Sequence, residues 1–390
     1  MAATQTATLR DEFLLRKDVV YLNHGALGAC PREVFDRYQA YQRELEMEPI
    51  DFFIRRGPEL IAGAQSKLAA YLGADADELV FAQNVTVALN IAIRSLPLQA
   101  GDEILTTDHE YGALERTWSF VCKKTGARVV QQELPRPLDS VEEAVERFWA
   151  GVTPRTKVVY LSHVTSATAV ILPVKEIVAR ARERGIWTVI DGAHAPGQID
   201  VDLHNLGVDF YGGNCHKWLS SPKGAGFLYA RREMQELLEP LVVGWGYMPA
   251  NPGPSKFLDE QRLGTQDISV YLSVPHVIDF MARHDWPRVR ARCHDIARDA
   301  RRRIGELFPG LEPVSVDSPT WYAQMVSVPL PSLDTAKLAE RLRNEARIEI
   351  PLPVWHGRQF VRVSIQGYNT SEDVDALVAA LAKLVPEVRR

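Results

Sequence analysis

Two neighbouring stretches decide the fold of this chain: IWTVIDGAHAPGQ (Ile186–Gln198) and DFYGGNCHKWLSSPKGAGFLYA (Asp209–Ala230). The first is a run of strand-forming residues that stops at Asp191 and a glycine. An apolar strand that ends in an acid is typical of the carboxyl edge of an open α/β sheet. The second places Lys217 between a histidine and a tryptophan, a setting that favours a lowered pKa and a nucleophilic amine.

Asp191 and Lys217 also have ordinary explanations when each is taken alone. A loop lysine is usually solvated, and an acid after a strand often forms a turn or a cap. Taken together, the two indicate pyridoxal phosphate, which needs a lysine for its Schiff base and an acid to keep its ring nitrogen protonated. The remaining sequence has to decide between these interpretations.

Composition limits the classes of partner. The 390 residues, 46% of them hydrophobic, predict a large domain with a sizeable core and a smaller second domain. The net charge of −5 and the lack of a basic block argue against nucleic acid or a membrane surface as the partner. Without a signal segment or a membrane-length apolar run, we expect a cytoplasmic protein. Four scattered cysteines predict neither disulfides nor a zinc site, so no metal is expected.

Strand and helix patterns alternate from Glu78 to Ala230, which predicts a mostly parallel sheet between helices. Polar residues recur where the strands end, and this places a site along the carboxyl edge of the sheet. One such turn, Asn84–Thr86, precedes a buried helix, where free N–H groups and the helix dipole favour a phosphate. An N-cap uses the same residue types, so both interpretations stay open at this point.

Eight motifs in a fixed order resemble the class V aminotransferase superfamily, which comprises pyridoxal-phosphate enzymes of fold type I. They are YLNHGALG (21–28), FAQNVTVALN (81–90), TTDHEYGALERTW (106–118), SHVTSATAVILPV (162–174), IDGAHAPGQ (190–198), GNCHKWLSSPKGAGFLY (213–229), GTQDISVYLSVP (264–275) and RVSIQGYNTSEDV (362–374). Within the superfamily the chain is most similar to isopenicillin N epimerase-like proteins. The resemblance implies an α/β fold with a seven-stranded, mostly parallel sheet. The expected parts are an N-terminal arm (1–30), a large cofactor domain (31–270) and a smaller α+β domain (271–390).

The resemblance also implies how pyridoxal phosphate is bound. Lys217 would form the Schiff base and shuttle a proton, Asp191 would pair with the ring nitrogen, and His194 would reach the phenolic oxygen. Tyr111 would lie over the ring, and Thr165 or Ser166 would meet a cofactor oxygen. The phosphate would be held by three consecutive residues and a histidine, namely Asn84, Val85, Thr86 and His216.

A second set of implied roles concerns the substrate and the assembly. Arg362 resembles the arginine that binds the substrate carboxylate, and Asn23 and His24 would line the substrate side. Thr265 resembles a position that reaches the phosphate across a dimer interface, which implies a homodimer with shared active sites. We expect the side-chain pocket to include the loop 245–254 and residues 355–358.

The expected chemistry starts with a Lys217 aldimine and a quinonoid formed by loss of the α-proton. An amino-acid epimerase or racemase is the first interpretation, with Lys217 serving one face and Tyr111 or His24 the other. A β-eliminating C–S lyase is the alternative, followed by transamination and, last, a non-catalytic protein that kept the fold. Two departures from the family pattern matter: Ala167 stands where a proline is common, and no cysteine follows Cys293, which argues against persulfide-forming desulfuration.

Overall fold

A computed structural model describes residues 8–248 and 255–389 of the protein. In chain order its strands are β1 Val20–Tyr21, β2 Leu79–Ala82, β3 Glu103–Thr107, β4 Arg128–Gln132, β5 Thr156–Ser162, β6 Trp187–Gly192, β7 Phe210–Asn214, β8 Gly226–Ala230, β9 Met325–Leu330, β10 Ile348–Glu349, β11 Val354–Trp355 and β12 Arg358–Ser364. Its α-helices are α1 Arg32–Met47, α2 Gly57–Tyr71, α3 Val85–Ser95, α4 Gly112–Thr125, α5 Val141–Trp149, α6 Val174–Glu183, α7 Leu203–Leu206, α8 Lys256–Glu260, α9 Ser269–Leu272, α10 Val274–Arg283, α11 Trp286–Leu307, α12 Thr335–Glu345 and α13 Ser371–Val388.

The large sheet has seven strands in the order β2-β8-β7-β6-β5-β3-β4. The five strands from β7 to β4 are mutually parallel, and β8 runs antiparallel to both of its neighbours. Parallel neighbours require crossover connections, which the intervening helices supply. The predicted α/β fold with a mostly parallel seven-stranded sheet is therefore confirmed.

The sheet separates two hydrophobic cores. Successive residues of one strand fall into different cores: Val158 and Tyr160 of β5 belong to one, and Val159 and Leu161 to the other. Side chains alternate between the faces of a strand, so apolar residues at every position bury both faces of the sheet. This is why the central strands read as continuous apolar runs.

The C-terminal part of the chain forms a smaller α+β region. Its antiparallel sheet has the order β11-β12-β9, and α11 and α13 pack against each other. Strand β1 of the N-terminal segment pairs in parallel with β10, so that residues near the start of the chain lie beside this region. Among the described helices, none combines the length and the apolar composition that a bilayer crossing requires.

Several elements differ from those that the sequence pattern predicts. Strand β7 was not predicted, because its two glycines weaken the strand pattern. The continuous helical region expected over 274–307 divides into α10 and α11 at Asp285, whose φ is 48°. The proline and glycine content of 244–267 predicts a loop, but this segment contains the short helix α8. Residues 249–254 of the expected side-chain pocket lie outside the described part of the chain.

Candidate active site

Lys217 lies in the turn that follows β7, one strand away from Asp191 at the end of β6. The N-terminal segment packs directly on this turn. A Cβ atom at Gly28 would lie 2.2 Å from the carbonyl oxygen of Lys217, a separation that only glycine permits. The segment around Gly28 therefore fixes the backbone that presents the lysine.

A chain of hydrogen bonds orients the Lys217 amine. The Trp218 indole N–H donates to His194 Nδ1 at 3.2 Å, so the neutral imidazole carries its proton on Nε2, which lies 3.2 Å from Lys217 Nζ. Burial keeps this imidazole neutral by holding the pKa of His194 well below its usual value. The imidazole therefore donates from Nε2 to the unprotonated form of the Lys217 amine and places no positive charge beside it.

Burial lowers the pKa of Lys217 to about 8, with the Arg362 guanidinium lowering it further and Asp191 opposing both. Asp191 is itself buried, and burial raises the pKa of its carboxyl, while a hydrogen bond from the Ala193 N–H and the charge of Lys217 act in the opposite direction. A lysine with a lowered pKa is a better nucleophile near neutral pH because more of it is unprotonated.

The N-terminus of α3 supplies donors on another side of the site. Asn84 caps the helix by accepting from the Val87 N–H at 3.0 Å, and the Val85 N–H donates to the Asn214 side-chain oxygen at 2.9 Å. Within the described residues, the N–H and hydroxyl of Thr86 are left for a ligand. The N-cap is therefore confirmed, whereas the phosphate site stays a prediction that rests on Thr86, because the Asn84 side-chain oxygen and the Val85 N–H already have protein partners.

His216 and Asn214 lie beside this helix terminus. His216 Nδ1 donates to the Ala225 carbonyl at 2.8 Å, and burial lowers the pKa of this histidine to about 4, so the neutral ring carries no proton on Nε2. Asn214 was not among the predicted site residues. Its only sequence signal is an amide at the end of a glycine-rich strand, two positions before His216.

These elements enclose a cavity of about 580 Å³. Its lining combines eight polar or charged residues named in the sequence analysis with Asn214 and small or apolar residues. The lining residues are Gly25, Ala26, Asn84, Val85, Thr86, Val87, Tyr111, Ser166, His194, Asn214, His216, Lys217 and Arg362.

Arg362 is the main buried cation of this cavity besides Lys217. It lies on β12, is only 6% exposed, and donates to the Ser166 carbonyl at 2.7 Å and to the Ser166 hydroxyl at 3.3 Å. Its Nε has no partner, and no carboxylate of the described residues pairs with it. Burial lowers the pKa of Arg362 to about 10. A buried guanidinium without an acid is a receptor for an anionic ligand.

Five of the predicted residues are not among those that line the cavity, and one of them is Asp191, which is only 2% exposed. His24 is buried against Tyr368 and Gln366, with its pKa lowered to about 3 by burial, and does not line the cavity. Asn23 pairs with the end of β12 and its side-chain oxygen is buried without a partner. The Thr165 hydroxyl bonds to Thr168 and to the Val170 N–H, so Ser166 and not Thr165 reaches the cavity.

Thr265 lines a different, more apolar cavity of about 730 Å³, together with Phe53, Ile54, Trp245 and Leu258. Within one chain it is therefore not part of the lysine site.

Comparison with known proteins places the chain in a family. A family model described as Aminotransferase class-V matches residues 20–377. The chain belongs to the class V aminotransferase family. This class V enzyme is 39% identical to isopenicillin N epimerase of Amycolatopsis lactamdurans, over 98% of the chain and the whole of that protein. It is 30% identical to a putative L-cysteine desulfhydrase of Oryza sativa subsp. japonica, over 99% of the chain and 89% of that protein.

Solved structures with the same fold are more distant in sequence. The cysteine desulfurase CsdA of Escherichia coli superposes with a TM-score of 0.83 at 22% identity, covering 97% of this chain and 98% of that one. The cystine C–S lyase C-DES, in complex with cysteine persulfide, gives a TM-score of 0.82 at 22% identity, covering 94% and 98%. These likenesses confirm fold type I.

The cofactor of class V aminotransferases is pyridoxal phosphate, and the cavity of this class V enzyme fits it. A buried amine with a lowered pKa, a buried acid on the next strand and unused donors at a helix N-terminus are the three groups that such a cofactor requires.

Proposed function

We propose that the protein is a pyridoxal-phosphate-dependent amino-acid epimerase or racemase. The observation that carries the proposal is that two groups able to move a proton, Lys217 and Tyr111, line the same cavity as the unpaired guanidinium of Arg362. The full-length similarity to isopenicillin N epimerase supports the same reaction. When bound, the cofactor supplies an electron sink that makes the α-proton of an amino acid acidic.

We propose that the cofactor is held by opposite ends of the cavity. Thr86 and Asn214 would donate to its phosphate, which the N-terminus of α3 also attracts through the helix dipole. His216 would donate to it from Nε2 in its imidazolium form, which the charge of the phosphate would favour. Asp191 would hold the ring nitrogen in its protonated form. His194 would donate from Nε2 to the phenolic oxygen, because Trp218 already occupies its Nδ1.

Arg362 would bind the substrate carboxylate. Its free Nε and a second nitrogen form a fork that matches two carboxylate oxygens. Ser166 holds one end of the guanidinium and so fixes the direction of the fork. A substrate anchored there presents its α-carbon to the Lys217 amine.

Epimerisation requires proton transfer at both faces of the α-carbon. Lys217 would serve one face and Tyr111 the other. Tyr111 is 40% exposed and begins α4 at the cavity, whereas His24, the other residue considered from the sequence, is enclosed by Tyr368 and Gln366. The positions of the two side chains therefore favour Tyr111.

A β-eliminating C–S lyase is the second candidate, because relatives about 30% identical over nearly the whole chain are named L-cysteine desulfhydrases. Both reactions begin with removal of the α-proton by the same lysine. Persulfide formation on the protein fits less well: three of the four cysteines are buried, Cys122 lies on α4, and none of them lines the cavity.

We further propose a homodimer in which Thr265 reaches the partner's phosphate site. Large apolar side chains that line the cavity containing Thr265 are exposed, with Ile54 58% and Trp245 96% exposed. Contiguous exposed apolar residues of this kind mark interaction surfaces. A second copy of the chain would bury them and complete both sites.

The test of the proposed reaction is incubation of the cofactor-loaded protein with single amino-acid enantiomers in deuterated water. Deuterium at the α-carbon together with the opposite enantiomer supports epimerisation. Release of pyruvate and ammonia identifies the lyase instead. Tyr111→Phe separates the faces: we expect it to abolish inversion while exchange with retention through Lys217 persists. Inversion at an unchanged rate in this variant would contradict the role of Tyr111.

A further inference from the structure

Glu110, the residue before Tyr111, bridges the carboxyl ends of two neighbouring strands. Its Oε1 lies 2.6 Å from the Thr107 hydroxyl at the end of β3. Its Oε2 accepts from the N–H and the hydroxyl of Ser162 at the end of β5, at 2.8 and 2.7 Å. These three hydrogen bonds therefore hold the short loop that carries Tyr111 and leads into α4.

The surroundings of this carboxyl group are unfavourable for a negative charge. Ser162 pairs across the sheet with Asp191, which places a second acid beside Glu110. Within the described residues, no lysine, arginine or histidine forms an ion pair with Glu110. The phenol of Tyr160 on β5 also interacts with Glu110, and burial holds the pKa of this phenol well above its usual value, so that it stays neutral.

We propose that Glu110 is a positioning residue of the site, held as a neutral carboxylic acid that anchors Tyr111 over the cavity and leaves the negative charge at this edge to Asp191. This inference rests on the proposed function, which gives Tyr111 and Asp191 their roles. A protonated carboxyl group satisfies all three contacts, because Oε2 still accepts from Ser162 while the acid O–H donates to the Thr107 oxygen.

The direction of the pKa shift agrees with this geometry. Burial and the charge of Asp191 raise the pKa of Glu110 to about 8, and the hydrogen bonds from Thr107 and Ser162 only partly oppose them. The side chain is therefore mainly protonated at pH 7. Ionisation above pH 8 would place a second negative charge at the edge that holds the cofactor ring.

Two variants separate anchoring from ionisation. Glu110→Gln keeps the length of the side chain and imitates the protonated acid, since its oxygen accepts from Ser162 and its amide N–H donates to Thr107. Glu110→Asp keeps an acid, but is one methylene too short to reach both strand ends. Glu103→Gln is the matched control, because Glu103 is a buried acid at the other end of the same strand, with its pKa lowered to about 2 by Thr153 and Arg128.

The protonation state is measured by infrared spectroscopy of the ligand-free protein between pH 6 and 9.5. We expect a carboxylic-acid C=O band in the wild-type protein that disappears near pH 8, is absent from Glu110→Gln and is retained in Glu103→Gln. Identical spectra for the wild type and Glu110→Gln at pH 7 would overturn the proposal. This measurement needs neither cofactor nor activity, so its outcome is independent of the proposed function.

The anchoring is measured by α-proton exchange. We expect Glu110→Asp to lower kcat about tenfold or more with little change in cofactor affinity, and Glu110→Gln to restore most of the loss at pH 7. An exchange rate in Glu110→Asp equal to that of the wild type would overturn the anchoring role. Absence of cofactor uptake by the wild-type protein would contradict the proposed function instead.

Discussion

Arg362 offers a direct test of the site, because its buried charge should destabilise the ligand-free protein and, in the complex, stabilise the bound substrate carboxylate. We consider Arg362→Met, which replaces the charge with an apolar side chain of similar length. The wild-type guanidinium is 6% exposed and lacks a carboxylate partner within the described residues. Removing its charge and supplying an apolar group should relieve the cost of burying it.

The magnitude follows from the pKa of the buried group. Burial lowers the pKa of Arg362 from 12.5 to about 10, and at ~1.4 kcal/mol per pH unit this corresponds to about 3.5 kcal/mol. At pH 7, below both values, the arginine is charged in the folded and the unfolded chain, so the whole cost is present. Loss of the hydrogen bonds to Ser166 destabilises the variant by ~1.5–3 kcal/mol and so offsets most of this gain. We therefore expect a variant that is as stable as the wild type or up to about 2 kcal/mol more stable.

Substrate binding should change in the opposite direction. Truncation of one member of a buried, hydrogen-bonded charge pair costs ~2–5 kcal/mol, which is a loss of about 30-fold or more in kcat/KM. Because the carboxylate lies away from the reacting atoms, we expect most of the loss in KM and full retention of the cofactor.

The assays are urea unfolding of the ligand-free protein at pH 7 and the kinetics of α-proton exchange. Arg292→Met is the control, since Arg292 donates to the carbonyl oxygens of Asn369 and Gly367 and its loss should destabilise the fold. The reasoning would be refuted if Arg362→Met unfolded at as low a urea concentration as Arg292→Met, or if it kept the wild-type KM.

Three further predictions concern the lysine turn and the assembly. Lys217→Ala should remove both the visible absorbance of the bound cofactor and all exchange activity. In the wild type, the rate of cofactor uptake should rise as the pH increases to about 8 and level off above it, because only the free amine of Lys217 reacts. A rate independent of pH between 6 and 9 would contradict the lowered pKa. Gly28→Ala should destabilise the protein by ~1–3 kcal/mol, since the new Cβ meets the Lys217 carbonyl, whereas Gly63→Ala, with nothing within 4 Å, should be neutral or stabilising in urea unfolding. Thr265→Ala should weaken cofactor retention in a dimer measured by analytical ultracentrifugation, and a fully active monomer would exclude the shared site.

Local sequence was sufficient for most of the framework. The sequence pattern predicts strands over 103–107, 128–132 and 226–230 and a helix over 335–345, and these bounds agree with β3, β4, β8 and α12. Apolar runs closed by glycine, proline or polar residues specify such elements without reference to distant residues. The acid of β6 was recognisable because it ends an apolar strand, and the carboxyl ends of parallel strands meet at one edge. The lysine, which follows the unpredicted β7, was recognisable from the histidine and tryptophan on either side of it.

The tertiary structure alone decided which polar residues face the cavity. His24 and Asn23 are adjacent to glycine and alanine residues that do line it, but packing against Tyr368 and the end of β12 turns their side chains away. Likewise, the choice between Thr165 and Ser166 depends on whether a hydroxyl is taken up by Thr168 or meets Arg362 from another part of the chain.

Sequence by itself thus determined the alternation of strands and helices in the large domain, and it singled out the acid and the lysine. Tertiary structure decided the charges. Burial by segments far apart in the chain lowers the pKa values of Lys217, His194 and Arg362. The free energy of transferring a charge out of water depends on those neighbours and not on the local sequence.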